Sequence, residues 1–272
     1  MEINNILEFT NASYWIEYVR TEVPYYLRHD PNIRTIYGHT CAMIWIKYFG
    51  TSIDVPEYLR HDPTIRDNFG HTCAMKHIIH KISYDVPEYL RHDPTIQNIK
   101  GHTCAMFWII SMKHPPNILV ILDYYLPLES NGYFELPRKH NKEVPEYLRH
   151  DPTIQSLDGY TCAMFWIKIM KTDVPEYLRH DPTIMTKNNW TCAMLWIEQV
   201  GTDVPEYLRH DPSIQNKYHS TCAMLWIEFV RTDVPEYLRH DPDIRDKCGN
   251  TCVMLWRWHV NRISGYPHIY SE

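Results

Sequence analysis

Cysteine and histidine are the side chains in this chain best suited to chemistry, and both recur at regular intervals. The sequence has eight cysteines and 17 histidines. Seven cysteines follow a threonine and start an apolar run, about one every 30 residues. If these runs are stacked helices roughly 8–10 Å apart, the cysteines are too distant for disulfides, which need Cα atoms within about 7 Å. The spacing predicts reduced thiols serving as small core residues, at Cys41, Cys73, Cys104, Cys162, Cys192, Cys222 and Cys252.

A His-Asp pair stands before a proline in each intact copy, for example His180-Asp181 before Pro182. Such pairs superficially resemble the metal-binding pair of HD-type hydrolases. Those enzymes need one pair plus scattered ligands converging on a point, whereas here the pair is copied along an array. The favoured interpretation is a helix end followed by a turn, where a protonated histidine also suits the helix dipole. A hydrolase is the least favoured function, and no catalytic residue is predicted.

Two histidines depart from the pattern. His77 takes the place of a tryptophan found in the other copies, and His80 lies three residues on, on the same helical face. A metal site there is one alternative, and a locally loosened repeat is the favoured one. Cys248 and Cys252 are the only closely spaced cysteines, and they lack obvious partner ligands. We therefore predict no metal site and no cofactor.

The composition narrows the range of partners. Lys and Arg number 27 against 33 Asp and Glu, a formal net charge of −6, which gives no electrostatic footprint for nucleic acid or an anionic membrane. No apolar run is long enough for a transmembrane helix, and the opening MEINNILEFT does not resemble a signal peptide. We expect a cytoplasmic protein, and leaderless export stays open.

The string VPEYLRHDP marks an internal repeat, and a variant places Pro24 in the same series. The gap from Pro87 to Pro145 is close to two periods, so a degenerate copy is predicted at about residues 115–143. Residues 10–21 align with 221–232, and the tail continues the series. About nine units of about 30 residues therefore form a single array over residues 1–272. The first prolines of the exact copies are Pro56, Pro87, Pro145, Pro175, Pro205 and Pro235.

The sequence of one repeat predicts a short helical hairpin. Asn189 fills a position that is glycine in most other copies, which indicates a turn with positive φ. Thr191 is a good N-cap for a first helix over about residues 192–200. Pro205 can open a second helix of under two turns, with Glu206 and Arg209 as a surface pair. Such short helices need stacked neighbours, and a recurring tryptophan supplies most of the buried area, at Trp15, Trp45, Trp108, Trp166, Trp196, Trp226 and Trp256.

The residues Asp93, Pro94, Ile96, Gly101 and Thr103 stand in a pattern that resembles the turn and helix start of the ankyrin repeat. The resemblance covers eight full or partial units and implies an all-α solenoid of ankyrin-like helix-turn-helix repeats. Three features depart from the family. Cys-Ala-Met replaces its Pro-Leu-His, Trp-Ile replaces its small Ala-Ala pair, and the shortened second helix reduces the period from about 33 to about 30 residues.

In the ankyrin family the turns project beside the inner helices as fingers that bind partners. The resemblance therefore implies a non-catalytic scaffold that binds a protein partner through repeat turns and the inner helix face. From the charge balance we expect no nucleic-acid or membrane partner, and we expect a monomer. Exposed aromatic side chains are typical anchors of such surfaces. The alternative is a His/Cys-rich metal-binding or redox-buffering repeat protein. The predicted turn-tip residues are Tyr37, His39, Phe69, His71, Lys100, His102, Tyr160, Trp190 and Tyr218.

Overall fold

The computed structural model describes residues 11–49, 54–80, 85–112 and 143–263. The chain divides into two compact units, Met1–Leu157 and Asp158–Glu272. Nearly all of the degenerate copy predicted at about residues 115–143 lies outside the described residues, so that copy and the single array stay predictions. Within the described part of the chain, no helix is long and apolar enough to cross a membrane.

Each described copy contributes one α-helix, and consecutive helices within a unit pack side by side. The described residues contain no β-strand, which agrees with the predicted all-α class. The helices of the first unit are α1 (Asn11–Tyr14, continuing as a π-helix over Trp15–Val19), α2 (Cys41–Phe49), α3 (Cys73–His80) and α4 (Cys104–Ser111). Those of the second unit are α5 (Cys162–Met170), α6 (Cys192–Gln199), α7 (Cys222–Leu225, continuing as a π-helix over Trp226–Val230) and α8 (Cys252–Ile263).

The start of each helix from α2 to α8 is set by a threonine, as predicted. Thr191 has extended backbone angles, and its side chain accepts the backbone N–H of Met194. This bond satisfies one of the N–H groups that the first helical turn leaves without a partner. The helix then ends at Gln199, within one residue of the predicted boundary.

The predicted second helix is a single 3-10 turn of three residues. In the copy that follows α6 it spans Glu206–Leu208, and Pro205 precedes it in an extended conformation. The corresponding turns are Tyr25–Leu27, Glu57–Leu59, Glu88–Leu90 and Glu146–Leu148 in the first unit, and Glu176–Leu178 and Glu236–Leu238 in the second.

The predicted surface pair between Glu206 and Arg209 is wrong. Arg209 has extended backbone angles, because the turn has already ended at Leu208. Residues three apart therefore do not share a helical face here. The Arg209 guanidinium instead donates from Nε to the carbonyl of Val204 and lies 3.6 Å from the carboxylate of Asp203.

The core of each unit is built from the apolar faces of its helices. Ile46 and Ile109 are fully buried in the first unit, and Ile167 and Ile197 occupy the same repeat position in the second. The predicted role of the recurring tryptophan is confirmed for its interior copies. It is half-buried only at Trp15 and Trp256, and buried at Trp45, Trp108, Trp166, Trp196 and Trp226.

Candidate functional site

The turns that precede the main helices form a row of fingers, which we define as five residues ending just before the N-cap threonine. Positions one to five are counted along the chain. The fingers are residues 35–39, 67–71 and 98–102 in the first unit and 186–190, 216–220 and 246–250 in the second. Residues 156–160 form the same turn across the unit boundary, and each is described with its own unit.

Each finger is held by a short polar side chain at its first position. The side-chain oxygen of Asn216 accepts the backbone N–H groups of Tyr218 (2.8 Å) and Ser220 (3.0 Å). The backbone of Asn216 adds two more bonds, one to His219 and one to Ser220. Such Asx-type bonding favours a tight turn. The sequence predictions missed this position, although an Asp, Asn, Ser or Thr three residues before the glycine would have marked it.

The fourth position of each finger has the positive φ that the sequence predicts. Gly159 has φ of +82°, and a Cβ there would lie 2.7 Å from the Cα of Thr186 in the next finger. Asn189 and His219 adopt the same left-handed conformation with side chains, at φ of 57° and 60°. At Gly159 the close approach of the next finger adds to the preference for glycine that the positive φ already creates.

Backbone hydrogen bonds join neighbouring fingers within each unit. The N–H at the second position of one finger donates to the carbonyl at the third position of the finger before it. These bonds fix the second-position side chains in a regular row. They are Asn68 to Tyr37 (3.1 Å), Ile99 to Phe69 (3.0 Å) and Leu157 to Lys100 (2.8 Å) in the first unit, and Lys187 to Asp158, Lys217 to Asn188 and Lys247 to Tyr218 (each 2.9 Å) in the second.

The predicted turn-tip residues fall into three groups by exposure. Tyr37 and Tyr218, both at third positions, are about half exposed, at 49% and 51%. His71 is only 2% exposed, so its prediction as a turn tip is corrected. The remaining predicted residues are half-buried, and they are His39, Phe69, Lys100, His102, Tyr160 and Trp190.

His71 turns inward because it bonds to Asp67 in its own finger and to Asn98 in the next one. Its backbone N–H and its Nδ1 both contact the carboxylate of Asp67, and its Nε2 lies 3.2 Å from the side-chain amide of Asn98. Second-position side chains are exposed instead, among them Ile36, Ile99 and Leu157.

A buried charged cluster surrounds Asp67 in the first unit. One carboxylate oxygen of Asp67 lies 2.9 Å from Lys76 Nζ, 3.3 Å from His71 Nδ1 and 3.5 Å from His39 Nε2. Burial opposes ionisation, but the neighbouring His39 and His71 side chains and the charge of Lys76 hold the pKa of Asp67 well below its usual range. The following copy replaces the charged pair with Asn98 and Phe107. The cluster is therefore a feature of this copy alone among those described.

A small cavity of about 40 Å³ lies beside this cluster, between α1, α2 and α3. Its lining includes Lys47, Lys76 and His80, together with Glu17, which accepts a hydrogen bond from the Tyr48 hydroxyl. Burial, followed by the charges of the two lysines, lowers the pKa of His80 to about 4. His80 is therefore neutral near pH 7. No group of three or more His, Cys, Asp and Glu side chains within the described ranges could hold a metal ion.

The repeated histidine connects consecutive helices within a unit. His210 Nδ1 lies 2.8 Å from the carbonyl oxygen of Asp211, so this nitrogen carries the proton. Its Nε2 must then accept the hydroxyl hydrogen of Thr191 (2.8 Å), and it also lies 3.8 Å from the thiol of Cys222. Thr191 caps α6 and Cys222 begins α7, so the imidazole bridges the two helix starts. The His-Asp pair is thus a structural contact of the array.

Burial makes the cysteine thiols of this network poor nucleophiles. It raises the pKa of Cys222 to about 12, and the thiolate is the reactive form. The same value holds for Cys73, Cys104 and Cys192. All eight cysteines are free, and the exposed one is Cys248 on the last described finger.

The arginine and tyrosine of VPEYLRHDP form a second contact between consecutive copies. Arg179 stacks over the ring of Tyr207, 3.7 Å from its centroid. The Tyr207 hydroxyl donates to the carboxylate of Asp173 (2.6 Å) and accepts the backbone N–H of Val174 (3.0 Å). Burial, then the bond to Asp173, raises the pKa of Tyr207 to about 12. The same stacking joins Arg28 to Tyr58, Arg60 to Tyr89, Arg91 to Tyr147 and Arg209 to Tyr237.

Together, these contacts hold the consecutive copies of each unit side by side. Each unit is a helical repeat array. No known protein-family model matches the chain, and no curated protein matches it. Among solved structures, the crystal structure of the ankyrin repeat domain of Bcl-3 is similar, with 15% sequence identity and a TM-score of 0.42. The match covers 75% of this chain and 87% of that chain.

Proposed function

We propose that the chain is a non-catalytic scaffold that binds a protein partner through its finger tips and the adjacent helix face. One observation carries the proposal. The side chains that are identical between copies are engaged between repeats, as Arg179, Tyr207 and His210 are. Among the side chains that differ between copies, those at the second and third finger positions project to solvent, as Ile36, Tyr37 and Lys217 do. Part of the variation thus lies where a partner could contact it.

The first unit supports this proposal with a row of exposed apolar side chains. Ile36, Ile99 and Leu157 all occupy the second finger position, and each is more than half exposed. Single exposed apolar residues are ordinary on protein surfaces. A row of them at equivalent positions, with Tyr37 beside it, is typical of a surface that a partner covers.

The chemistry of the repeated residues supports a scaffold without catalysis. A nucleophilic cysteine needs a lowered pKa and access to solvent, whereas the thiols of Cys192 and Cys222 are buried and their pKa values are raised to about 12. Both ring nitrogens of His210 are occupied by structural contacts.

The test uses the intact chain as bait in cell extract, followed by direct binding with the purified partner. In one variant Ile36, Ile99 and Leu157 are all changed to Ser. A matched control changes three exposed apolar residues away from the fingers, which are Tyr25, Tyr26 and Ile33. We expect the finger variant to lose the partner and the control to retain it. Equal binding by both variants would refute the proposal.

We further propose an intracellular, reducing compartment, supported by eight free cysteines, most of them buried. After denaturation, all eight should react with a thiol reagent without prior reduction. In the native protein Cys248 should react first, because it alone is exposed. Intramolecular disulfides in protein isolated from its native compartment would contradict both expectations.

A further inference from the structure

Three lysines form a row on the fingers of the second unit. Lys187, Lys217 and Lys247 all occupy the second finger position and all are exposed. The backbone N–H of each is bonded to the preceding finger at 2.9 Å, so the three sites are geometrically equivalent. None of the three forms an ion pair with a residue in the described part of the chain. Their charges therefore remain available to a ligand.

The row is confined to the second unit. The same position in the first unit is occupied by uncharged residues, three of them the exposed apolar Ile36, Ile99 and Leu157. The third finger positions of the last three fingers, Asn188, Tyr218 and Cys248, add no formal charge. The ring of Tyr218 contacts the lysine beside it, since Lys217 Nζ lies 4.9 Å from the ring centre. The second unit thus presents positive charge where the first presents apolar surface.

The spacing of the row fits an extended peptide. Neighbouring helices in such arrays lie roughly 8–10 Å apart, and the fingers follow the same step. An extended strand advances about 3.3 Å per residue, so residues three apart in sequence are about 10 Å apart in space. Carboxylates at every third residue of an extended segment would therefore meet successive lysines.

We propose that this lysine row binds an extended acidic segment of a protein partner that carries a carboxylate at every third residue. The inference rests on the proposed function and specifies the partner chemistry for one unit. Two carboxylates, Glu228 and Asp246, line a pocket between α7 and α8 together with Arg231, and Asp246 directly precedes Lys247, so a densely charged anionic polymer fits less well there than a peptide with spaced carboxylates. A nucleic acid would bring phosphates against these carboxylates, whereas a peptide with spaced acidic residues would not.

The test measures binding of labelled peptides to the full chain by fluorescence anisotropy. One peptide has glutamate at every third residue with serine between, and a second has the same composition with its glutamates adjacent. A single-stranded oligothymidylate is the third probe. We expect the spaced peptide to bind most tightly, and its affinity to fall as salt is raised.

Variants then locate the contact. Lys217→Gln should weaken the spaced peptide roughly 1.5- to 5-fold, the range expected of an exposed ion pair. Lys171→Gln is the matched control, because Lys171 is an exposed lysine of the same unit at the opposite end of a helix. We expect this control to bind as the unmodified chain does. All three lysines are exposed, so their substitution should not disturb folding.

Three results would overturn the inference: equal affinity for the two peptides, equal losses in Lys217→Gln and Lys171→Gln, or tighter binding of the oligothymidylate. These results leave the proposed function standing if the variant carrying Ser at Ile36, Ile99 and Leu157 still loses its partner. If that variant binds its partner normally while the spaced peptide behaves as expected, the apolar finger row is refuted and the lysine row is supported.

Discussion

The contact between Arg179, Tyr207 and Val174 predicts a measurable effect of removing one oxygen atom. Tyr207→Phe deletes the only acceptor that the structure gives to the backbone N–H of Val174, a residue with 0% exposure. Leaving a buried donor without a partner costs about 1–3 kcal/mol. The lost bond to Asp173 adds little, because that carboxylate is largely exposed and returns to water. The ring stays beneath Arg179, so the cation–π contact should survive.

We therefore expect Tyr207→Phe to reduce the free energy of unfolding by about 1–3 kcal/mol. The chain contains its own control in Tyr26, the equivalent tyrosine of the first described copy, which is 78% exposed. Tyr26→Phe should change stability by no more than about 0.5 kcal/mol, as exposed substitutions do. The two variants make the same chemical change at equivalent positions and differ only in the contact.

Urea unfolding followed by tryptophan fluorescence would give the difference between the two variants. Because repeat arrays can lose units separately, hydrogen exchange at Val174 should be measured as well. We expect faster exchange there in Tyr207→Phe and no change in Tyr26→Phe. Equal unfolding curves for the two variants, with unchanged exchange at Val174, would refute the reasoning.

Three further predictions follow from the core and its buried polar groups. Burial lowers the pKa of His61 and of His92, so the folded state binds these protons less readily than the unfolded chain. Stability should be full above the unfolded pKa of about 6.5 and decline as pH falls below it, and a flat urea midpoint from pH 7 to pH 5 would contradict this. Trp196→Ala should cost about 3–5 kcal/mol in urea unfolding, as large core truncations do, and a cost under about 0.5 kcal/mol would show that this face is not core. Lys76→Phe should destabilise the chain by about 3–5 kcal/mol because it leaves the Asp67 carboxylate buried, and adding Asp67→Asn should restore most of the loss, since the next copy carries that pair; no rescue in the same assay would contradict the assignment.

The main helices could be read from the sequence because their signals are local. Thr191 caps its helix through a bond to Met194 three residues away, and the apolar run that follows has one helical period. Asn189 was recognised because glycine fills the same position in other copies, and its φ of 57° agrees. Tryptophan at a fixed helical position predicted burial for the same reason.

The contacts between copies could not be read in this way. Arg209 was assigned to Glu206 by helical spacing, but its partners are Asp203, Val204 and Tyr237, the last supplied by the next copy. Nothing in the sequence of one copy indicates which side chain of a neighbouring copy a given residue will contact. His71 was placed at a tip for a similar reason, because its burial depends on Asn98 in the following finger.

The sameness of VPEYLRHDP has a physical cause beyond any recent duplication of the repeat. In the second unit, Tyr207 binds Val174 and Asp173 of the preceding copy, while Arg209 of the same copy stacks on Tyr237 of the next. A substitution in this segment must therefore suit two neighbours at once. A finger residue such as Lys217 is bonded to its neighbour only through the backbone, so its side chain can change without disturbing the stack. The residues that pack the repeats together are thus distinct from the finger residues through which we propose that the chain binds a partner, and the copies can diverge at the fingers while remaining alike in how they pack.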